Sequence, residues 1–330
     1  MIFLQANIPD SRYNMFCLKI KLQKDKMEET IKTEGLSKQY KDVQAVSNLS
    51  ISVRKGEIYG FLGLNGAGKT TTIRMLLGMI RPGAGNAYIN GRRIYAGNGD
   101  LWTNTGHMVE IPYAYPNLTV RENLDIVRRL RSLPVSSIDD VIGLLRLTPY
   151  AHRKAKNLSL GNAQRLGLAK ALIHHPSILI LDEPANGLDP AGIYEIRELL
   201  IELARKQGAT IFVSSHILGE VSKFASRIGI IHEGKLLQEL DAGQLAALCN
   251  KRLLVGAANH EKAIGILRSH GLNVTEKAGH VMECSDEEVI RHPENVATWL
   301  VNAGCPPVLL QVKEEELEQY FLRIINIKKN

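Results

Sequence analysis

The sequence predicts an α/β fold with a mixed sheet core, an antiparallel β subdomain, a helical subdomain and a small C-terminal α+β domain. Three observations predict it. A glycine-rich phosphate-binding pattern at residues 63–70 lies between a strand-like and a helix-like segment. Apolar runs at 178–181 and 210–213 are typical of parallel strands buried on both faces. After residue 241 the order of elements is βαββαβ, the split βαβ arrangement.

Length and composition limit the classes of protein to which the chain can belong. It has 330 residues, of which 45% are hydrophobic, enough for one large domain or two. No apolar run reaches the ~18 residues that span a bilayer, and the start is too polar for a secretory signal. We therefore expect a cytoplasmic protein, or one bound peripherally to the cytoplasmic side of the cell membrane.

Charge and cysteine content point to no special partner. The net charge of +7 suits an anionic ligand, but the lack of a long basic block favours ordinary surface charge. We expect no nucleic-acid partner. The four cysteines form no CxxC pair, so the sequence predicts neither a zinc site nor a disulfide framework.

Changes in composition and periodicity along the chain predict three segments. Residues 1–26 lack periodicity and are predicted to form a flexible N-terminal extension. Residues 27–240 are predicted to form the main domain, with a helical subdomain at about 114–175. Residues 241–330 are predicted to form an accessory domain, in which we find no catalytic constellation.

Short β-type runs alternate with turns between residues 30 and 62, which predicts an antiparallel sheet. A second β pair is predicted to flank Gly83-Ala84-Gly85, with a turn at Asn90-Gly91. The helical subdomain follows. A capping box at 119–122 predicts a helix to about residue 131, and a second helix is predicted at 136–146.

The later elements are predicted from periodicity. A helix at 194–206 between the two apolar runs completes a βαβ unit. The C-terminal elements are strand 252–256, helix 260–270, strands 272–276 and 280–284, helix 294–303 and strand 307–312. A last helix is predicted from Lys313, with one apolar face formed by Leu317, Tyr320, Phe321 and Ile324.

The pattern at 63–70 predicts a site for a nucleoside triphosphate. Glycines let consecutive N–H groups turn inward around an anion, the lysine supplies positive charge, and the threonine hydroxyl suits Mg²⁺. Kinases, GTPases and motor ATPases share this loop, so it identifies no single activity. The predicted nucleotide-binding residues are Asn65, Gly66, Gly68, Lys69, Thr70 and Thr71, with Thr70 also a Mg²⁺ ligand.

Two acidic residues follow the apolar run at 178–181. The carboxyl end of a parallel strand lies beside the phosphate loop in this class of fold. Asp182 is therefore predicted to hold Mg²⁺, directly or through water. Glu183 is predicted to orient and deprotonate the attacking water as a general base.

Residues 158–165, Leu-Ser-Leu-Gly-Asn-Ala-Gln-Arg, resemble the signature sequence of ATP-binding cassette (ABC) ATPases, Leu-Ser-Gly-Gly-Gln. The chain departs from it at Leu160 and Asn162. Ser159 is a good helix N-cap, so we expect a helix whose positive end presents Ser159 and Gly161 to a phosphate.

Further motifs occur in this family's order, and the resemblance covers about residues 31–239. It implies that Asp189 is the aspartate of the D-loop. It implies that His216, after the next apolar strand, contacts the γ-phosphate. It also implies that Tyr40 stacks on adenine, although a tyrosine on a sheet surface is the alternative.

Family resemblance also implies the assembly. Members form head-to-tail dimers in which each ATP lies between one subunit's phosphate loop and the other's signature helix. This chain has one copy of each motif, which implies a homodimer with two-fold symmetry. It also implies an integral membrane permease as a separate partner.

Glu110 occupies the position of a glutamine that the family normally has. A carboxylate only accepts hydrogen bonds, whereas glutamine also donates. We expect Glu110 to bind Mg²⁺ or water, although it adds negative charge near the phosphates; the alternative is a tolerated isostere of glutamine. Glu110, Ile111-Pro112, residues 117–119 and the Leu-Ser-Leu-Gly start of the signature resemble ATPase subunits of lantibiotic self-protection and bacitracin-resistance exporters.

The sequence thus predicts an ATP- and Mg²⁺-dependent ATPase subunit that drives export of a peptide antibiotic. We further expect residues 110–119 to receive a cytoplasmic helix of the permease. Alternatives are a transporter ATPase for another substrate, a soluble ABC ATPase acting on ribosomes or DNA, and a binding-only regulator. The last is disfavoured because Glu183 and His216 are present.

Overall fold

The computed structural model describes residues 28–95, 97, 102–110, 113–277 and 279–329. The predicted N-terminal extension and Ile111-Pro112 lie outside these residues. Contacts divide the chain into two compact units, the first ending at Glu239 and the second beginning at Leu240. None of the described helices is long and apolar enough to cross a membrane.

The first unit contains two sheets and a group of helices. Its strands are β1 (Glu29–Tyr40), β2 (Val43–Leu49), β3 (Ser52–Arg54), β4 (Ile58–Leu62), β5 (Ala84–Ile89), β6 (Arg92–Arg93), β7 (Thr105–Met108), β8 (Ile178–Asp182), β9 (Thr210–Ser215), β10 (Arg227–His232) and β11 (Lys235–Asp241). Its helices are α1 (Lys69–Leu76), α2 (Val120–Leu130), α3 (Ser136–Leu144), α4 (Leu160–Leu172), α5 (Pro190–Gln207) and α6 (Leu218–Val221).

The larger sheet has the order β11-β10-β4-β9-β8-β7, and the strands from β10 to β7 are parallel. Every residue of β4 and β8 is buried, as their continuous apolar runs predict. Strands β4, β9 and β8 are neighbours, so the segments that follow them meet at one edge of the sheet. This edge carries the candidate site.

Aromatic packing holds the central strands together. The Tyr59 and Phe212 rings stack with centroids 5.6 Å apart, and Phe61 lies 5.3 Å from Phe212. All three side chains are fully buried. Stacked or tilted aromatic pairs contribute about 0.5–1.5 kcal/mol beyond the area that they bury. The packing therefore fixes β4 against β9, the two strands that precede the phosphate loop and His216.

The smaller sheet is antiparallel, with the order β2-β1-β5-β6 and β3 paired to β1. The prediction for Gly83-Ala84-Gly85 is wrong, because Ala84 and Gly85 open β5 and Gly83 directly precedes it, so the three residues do not separate two strands. Gly85 has φ 75°, and a Cβ there would lie 2.3 Å from the Gly35 carbonyl oxygen. It is glycine because β5 approaches the β1 backbone so closely. The turn at Asn90-Gly91 does join β5 to β6.

The helical subdomain contains the predicted capping box. The Thr119 hydroxyl accepts from the Glu122 N–H, and the Glu122 carboxylate accepts from the Thr119 N–H. Helix α2 accordingly begins at Val120 and ends at Leu130. Helix α3 ends at Leu144, two residues before the predicted end.

The second unit is an α+β arrangement. Its elements are α7 (Ala242–Leu248), β12 (Lys251–Ala257), α8 (His260–Ser269), β13 (Val274–Lys277), β14 (Val281–Cys284), α9 (Glu287–Arg291), α10 (Pro293–Asn302), β15 (Pro307–Glu314) and α11 (Leu317–Lys329). The sheet has the antiparallel order β13-β14-β12-β15. This is the split βαβ order, with the short helices α7 and α9 in addition to the predicted elements.

The last helix differs from its prediction. Strand β15 continues to Glu314, so α11 begins at Leu317 instead of Lys313. Leu317, Tyr320 and Phe321 are buried, as predicted, but Ile325 completes the buried face and Ile324 is half-buried. The four-residue step from Phe321 to Ile325 keeps one face of the helix apolar.

Candidate active site

The phosphate loop follows β4 and ends where α1 begins. Gly66 and Gly68 have φ values of 80° and 106°, in the region that favours glycine. A Cβ at Gly68 would lie 2.4 Å from the Ala45 carbonyl oxygen, on strand β2. The loop can therefore close against β2 only with glycine at this position. Its exposed tip contains Asn65 and Gly66, and Thr71 lies in the first turn of α1.

The Lys69 side chain is hydrogen-bonded to the backbone of this loop. Its side chain is 5% exposed, and its ammonium donates to the carbonyl oxygens of Gly63 (2.8 Å) and Leu64 (3.2 Å). The same nitrogen lies 3.2 Å from Glu183 Oε1, so the cation already faces the catalytic candidate. A buried ammonium restrained by two backbone acceptors is well placed to meet incoming phosphate oxygens.

Thr70, Asp182 and Ser214 form a compact group of oxygen atoms. Thr70 Oγ1 donates to Asp182 Oδ2 at 2.7 Å, and Ser214 Oγ donates to Asp182 Oδ1 at 2.5 Å. Asp182 is 2% exposed and Ser214 is fully buried. A hydroxyl beside a buried carboxylate supplies the hard oxygen ligands that Mg²⁺ prefers, so the two predicted metal ligands fit that cation.

Glu183 follows β8 with φ 51°, a left-handed conformation that is uncommon for a residue other than glycine. Its backbone N–H donates to the oxygens of Ser214, and its carboxylate contacts the His216 Nδ1 as well as Lys69. The structure thus brings together Lys69, Asp182, Glu183 and His216, as the sequence predicts. A carboxylate between a cation and an imidazole can orient water for attack.

Ser159 and Gly161 lie at the N-terminal tip of α4. The Ser159 hydroxyl accepts from the Asn162 N–H at 3.4 Å and so caps the helix. Leu160 between them is 58% exposed. In the described part of the chain, no hydrogen bond joins Ser159 or Gly161 to the phosphate loop. One chain therefore presents this tip to its surroundings.

Two further predicted nucleotide-binding residues have local contacts. The Asp189 carboxylate accepts from the Gly192 N–H at 2.9 Å and caps α5. Tyr40 ends β1 with its ring 43% exposed, and the Lys38 ammonium lies 5.3 Å from the ring centroid. An exposed ring is available for stacking, but the nucleotide roles of both residues stay predictions.

Glu110 contacts Arg74 of helix α1, with a guanidinium nitrogen 2.5 Å from its carboxylate. It has φ 59° and lies directly after the end of β7 and Val109. The guanidinium offsets the negative charge that a carboxylate adds near a phosphate site. The predicted contact of Glu110 with Mg²⁺ stays a prediction.

Two residues of the site were not assigned from the sequence. Ser214 links Asp182 to the Glu183 backbone, and Gln164 of α4 donates to the Glu183 carbonyl oxygen at 3.2 Å. Both are buried polar side chains. A serine inside an apolar strand was a usable signal for Ser214, since polar groups in such strands need a partner. Gln164 lies in the signature segment, but the sequence pattern predicts no role for it.

Comparison with known proteins places this geometry in a family. The sequence profile of the ABC transporter family matches residues 46–186. The bacitracin transport ATP-binding protein BcrA of Bacillus licheniformis is 40% identical over 306 residues, covering 91% of this chain and 98% of BcrA. The chain belongs to the ABC transporter ATP-binding proteins. This ABC ATPase binds and hydrolyses ATP, which confirms the predicted family, the predicted enzyme class and ATP as a cofactor, whereas Mg²⁺ stays a prediction.

Two further comparisons agree. The lantibiotic transport ATP-binding protein SrtF of Streptococcus pyogenes is 38% identical and covers 68% of this chain and 97% of SrtF. The dimeric structure of a bacterial ABC transporter cassette is similar with a TM-score of 0.60 and 25% identity, covering 64% of this chain and 98% of that one. The predicted ABC ATPase fold of the first unit is confirmed.

Proposed function

We propose that this ABC ATPase powers export of a peptide antibiotic of the bacitracin or lantibiotic type through a separate membrane permease. The names of relatives that match almost over their full length support this substrate class. The observation that carries the proposal is the contact network of Lys69, Asp182, Glu183 and His216, which places a cation, two carboxylates and an imidazole beside the phosphate loop.

Each residue of the network has a separate task in ATP hydrolysis. Lys69 would meet the outer phosphate oxygens, and Thr70 and Asp182 would hold Mg²⁺, which when bound would offset negative charge on those oxygens. Glu183 accepts a proton from the attacking water, and His216 holds the carboxylate toward the γ-phosphate. The Lys69–Glu183 ion pair separates when phosphate oxygens replace the carboxylate beside the ammonium.

A homodimer completes the site. The exposed tip of α4, with Ser159 and Gly161, would meet the γ-phosphate held by a second copy's phosphate loop. The dimeric arrangement of a related bacterial cassette supports this assembly. ATP then joins the two copies, and its hydrolysis removes the phosphate that both contact.

A groove beside the helical subdomain suits the permease. It has a volume of about 300 Å³ and is lined by Met79, His107, Met108, Val109, Tyr113, Val127, Arg131, Gly167, Lys170 and Ala171. Tyr113 is 74% and Tyr115 46% exposed, and their rings meet edge to face at 5.7 Å. We propose that a cytoplasmic permease helix packs on these rings at the cytoplasmic side of the membrane.

Substrate class is tested in an antibiotic-sensitive host that carries the ATPase together with its neighbouring permease gene. The wild-type chain should lower susceptibility to bacitracin or a lantibiotic, and Glu183→Gln should abolish that protection. Glu202→Gln, an exposed carboxylate on α5, is the matched control. If the wild-type chain hydrolyses ATP but protects against neither class of peptide, the proposed substrate is wrong.

Permease contact is tested separately with Tyr115→Asp and Glu110→Gln. Tyr115→Asp should reduce copurification with permease membranes but leave ATP turnover of the isolated chain unchanged. Tyr194→Asp, an exposed tyrosine on α5, is the control for loss of surface aromatic area. If neither Tyr115→Asp nor Glu110→Gln changes transport or its coupling to turnover, this docking site is wrong.

A further inference from the structure

We propose that Gln164 is a positioning residue that links the signature helix α4 to the catalytic Glu183 of the same chain. Gln164 is 5% exposed, and its Nε2 donates to the Glu183 carbonyl oxygen at 3.2 Å. The Asn186 N–H donates to the same oxygen at 3.1 Å. A side chain from α4 therefore helps to hold the backbone of the residue that activates water.

Glu183 needs such support because its backbone conformation is unusual. At φ 51° it persists only where the surroundings restrain it. Ser214 holds the N–H side of this residue, and Gln164 holds its carbonyl side. Loss of either restraint would let the peptide relax and would move the carboxylate from its place between Lys69 and His216.

A second contact joins the same two segments. Leu160, at the exposed start of α4, lies over Gly187, where a Cβ would be 2.3 Å from Leu160 Cδ2. A Cβ at Gly161 would meet Leu188 Cδ2 at 3.2 Å. Helix α4 thus touches both ends of segment 183–188, once through Gln164 and once through its exposed tip.

These contacts have a consequence that rests on the proposed dimer. The tip of α4 would contact the phosphate that is bound in the partner's site. Gln164, one turn further along the helix, holds Glu183 in the site of its own chain. A displacement of α4 on docking would then reach the catalytic carboxylate of the same chain. The linkage would let each ATP site sense whether the other is occupied.

The test compares Gln164→Met, which keeps length but removes the donor, with Ile173→Val, a mild core change at the other end of α4. Gln164→Met should lower kcat for ATP about five- to tenfold, the loss of one buried hydrogen bond, with KM changed less than twofold. Amide hydrogen exchange in segment 183–188 should become faster. Leu160→Ala should act in the same direction with a smaller effect.

Partner contact is measured in the Glu183→Gln background with ATP and Mg²⁺. Addition of Gln164→Met should leave ATP-driven dimerisation intact, because Gln164 acts within its own chain. The proposal is overturned if Gln164→Met behaves like Ile173→Val in kcat and exchange, or if it abolishes dimerisation. If Glu183→Gln alone stays monomeric, the proposed dimer fails, and the kcat and exchange comparison still decides the role of Gln164.

Discussion

The two sides of the candidate site differ in how complete they are within one chain. On the phosphate-loop side, Lys69 and Asp182 are buried and hydrogen-bonded to neighbouring residues of the same chain. On the signature side, Ser159 caps its helix and Leu160 beside it is 58% exposed. The first side is preorganised for electrostatic stabilisation, whereas the second is the side that the proposed homodimer would complete. If that dimer forms, substitutions on the two sides should lower turnover by different amounts.

The largest effect should come from the preorganised side. Glu183→Gln removes the proton acceptor, so kcat for ATP should fall by ~10²–10⁴-fold. Nucleotide binding should persist, because Lys69 and the loop are intact. Phosphate release and nucleotide binding are measured in parallel, with Glu202→Gln as the control. Retained turnover in Glu183→Gln would contradict the assignment of the base.

A smaller effect is expected on the signature side. Ser159→Ala should lower kcat by roughly tenfold, the loss of about one hydrogen bond to a charged group, while ATP affinity of the monomer stays unchanged. It also removes a helix cap, at a cost of about 1 kcal/mol in the free energy of unfolding.

Asn259→Ala is the matched control for Ser159→Ala, because Asn259 caps α8 by accepting from the Lys262 N–H. It should destabilise the protein to a similar degree without changing turnover. If Ser159→Ala and Asn259→Ala lower turnover by the same factor, the effect of Ser159→Ala comes from lost stability. The contrast between the phosphate-loop side and the signature side would then be wrong.

Ser214→Ala tests how much one supporting hydrogen-bond partner contributes on the phosphate-loop side. It removes the hydrogen bond to Asp182 and an acceptor for the Glu183 N–H, so we expect a several-fold fall in kcat and a higher Mg²⁺ requirement. A Mg²⁺ titration of turnover measures this. Ser226→Ala, whose serine bonds to Ile58 at the other end of β4, should keep the wild-type requirement.

Two histidines beside the sheet edge against which α4 packs should have the smallest effect on function. Their effect on stability should nevertheless be measurable. Burial lowers the pKa of His107 and of His174 to about 4. Since these values lie below the unfolded value, the folded state disfavours protonation. Stability is therefore full above about pH 6.5 and is lost as the pH falls toward 4.

Between pH 7 and pH 5 protonation of His107 on unfolding should lower the free energy of unfolding by about 2 kcal/mol, and His174, which is less buried, should contribute less. His107→Gln should therefore remove more than half of their combined pH dependence in urea unfolding at the two pH values. An unchanged slope in His107→Gln would show that His107 is not protonated on unfolding.

Sequence reasoning succeeded where local patterns carry the information. The phosphate loop, the capping box at Thr119 and the split βαβ order of the second unit follow from residue spacing and turn chemistry. It failed at Gly83-Ala84-Gly85 and at the start of α11. Gly85 does not mark a turn but allows the backbone of β5 to approach that of its neighbour β1 closely. Pairing with β12 extends β15 into residues that were predicted to begin the last helix.

Local sequence patterns were enough to predict a glycine loop after one buried strand, an acidic pair at the end of another, and an ABC ATPase. These features depend on backbone conformation and periodicity over a few residues. Only the tertiary structure decided that Ser214 meets Asp182, Gln164 meets Glu183 and Arg74 meets Glu110. Those partners are 19 to 36 residues apart, so strand order and helix placement, which no local pattern specifies, bring them together.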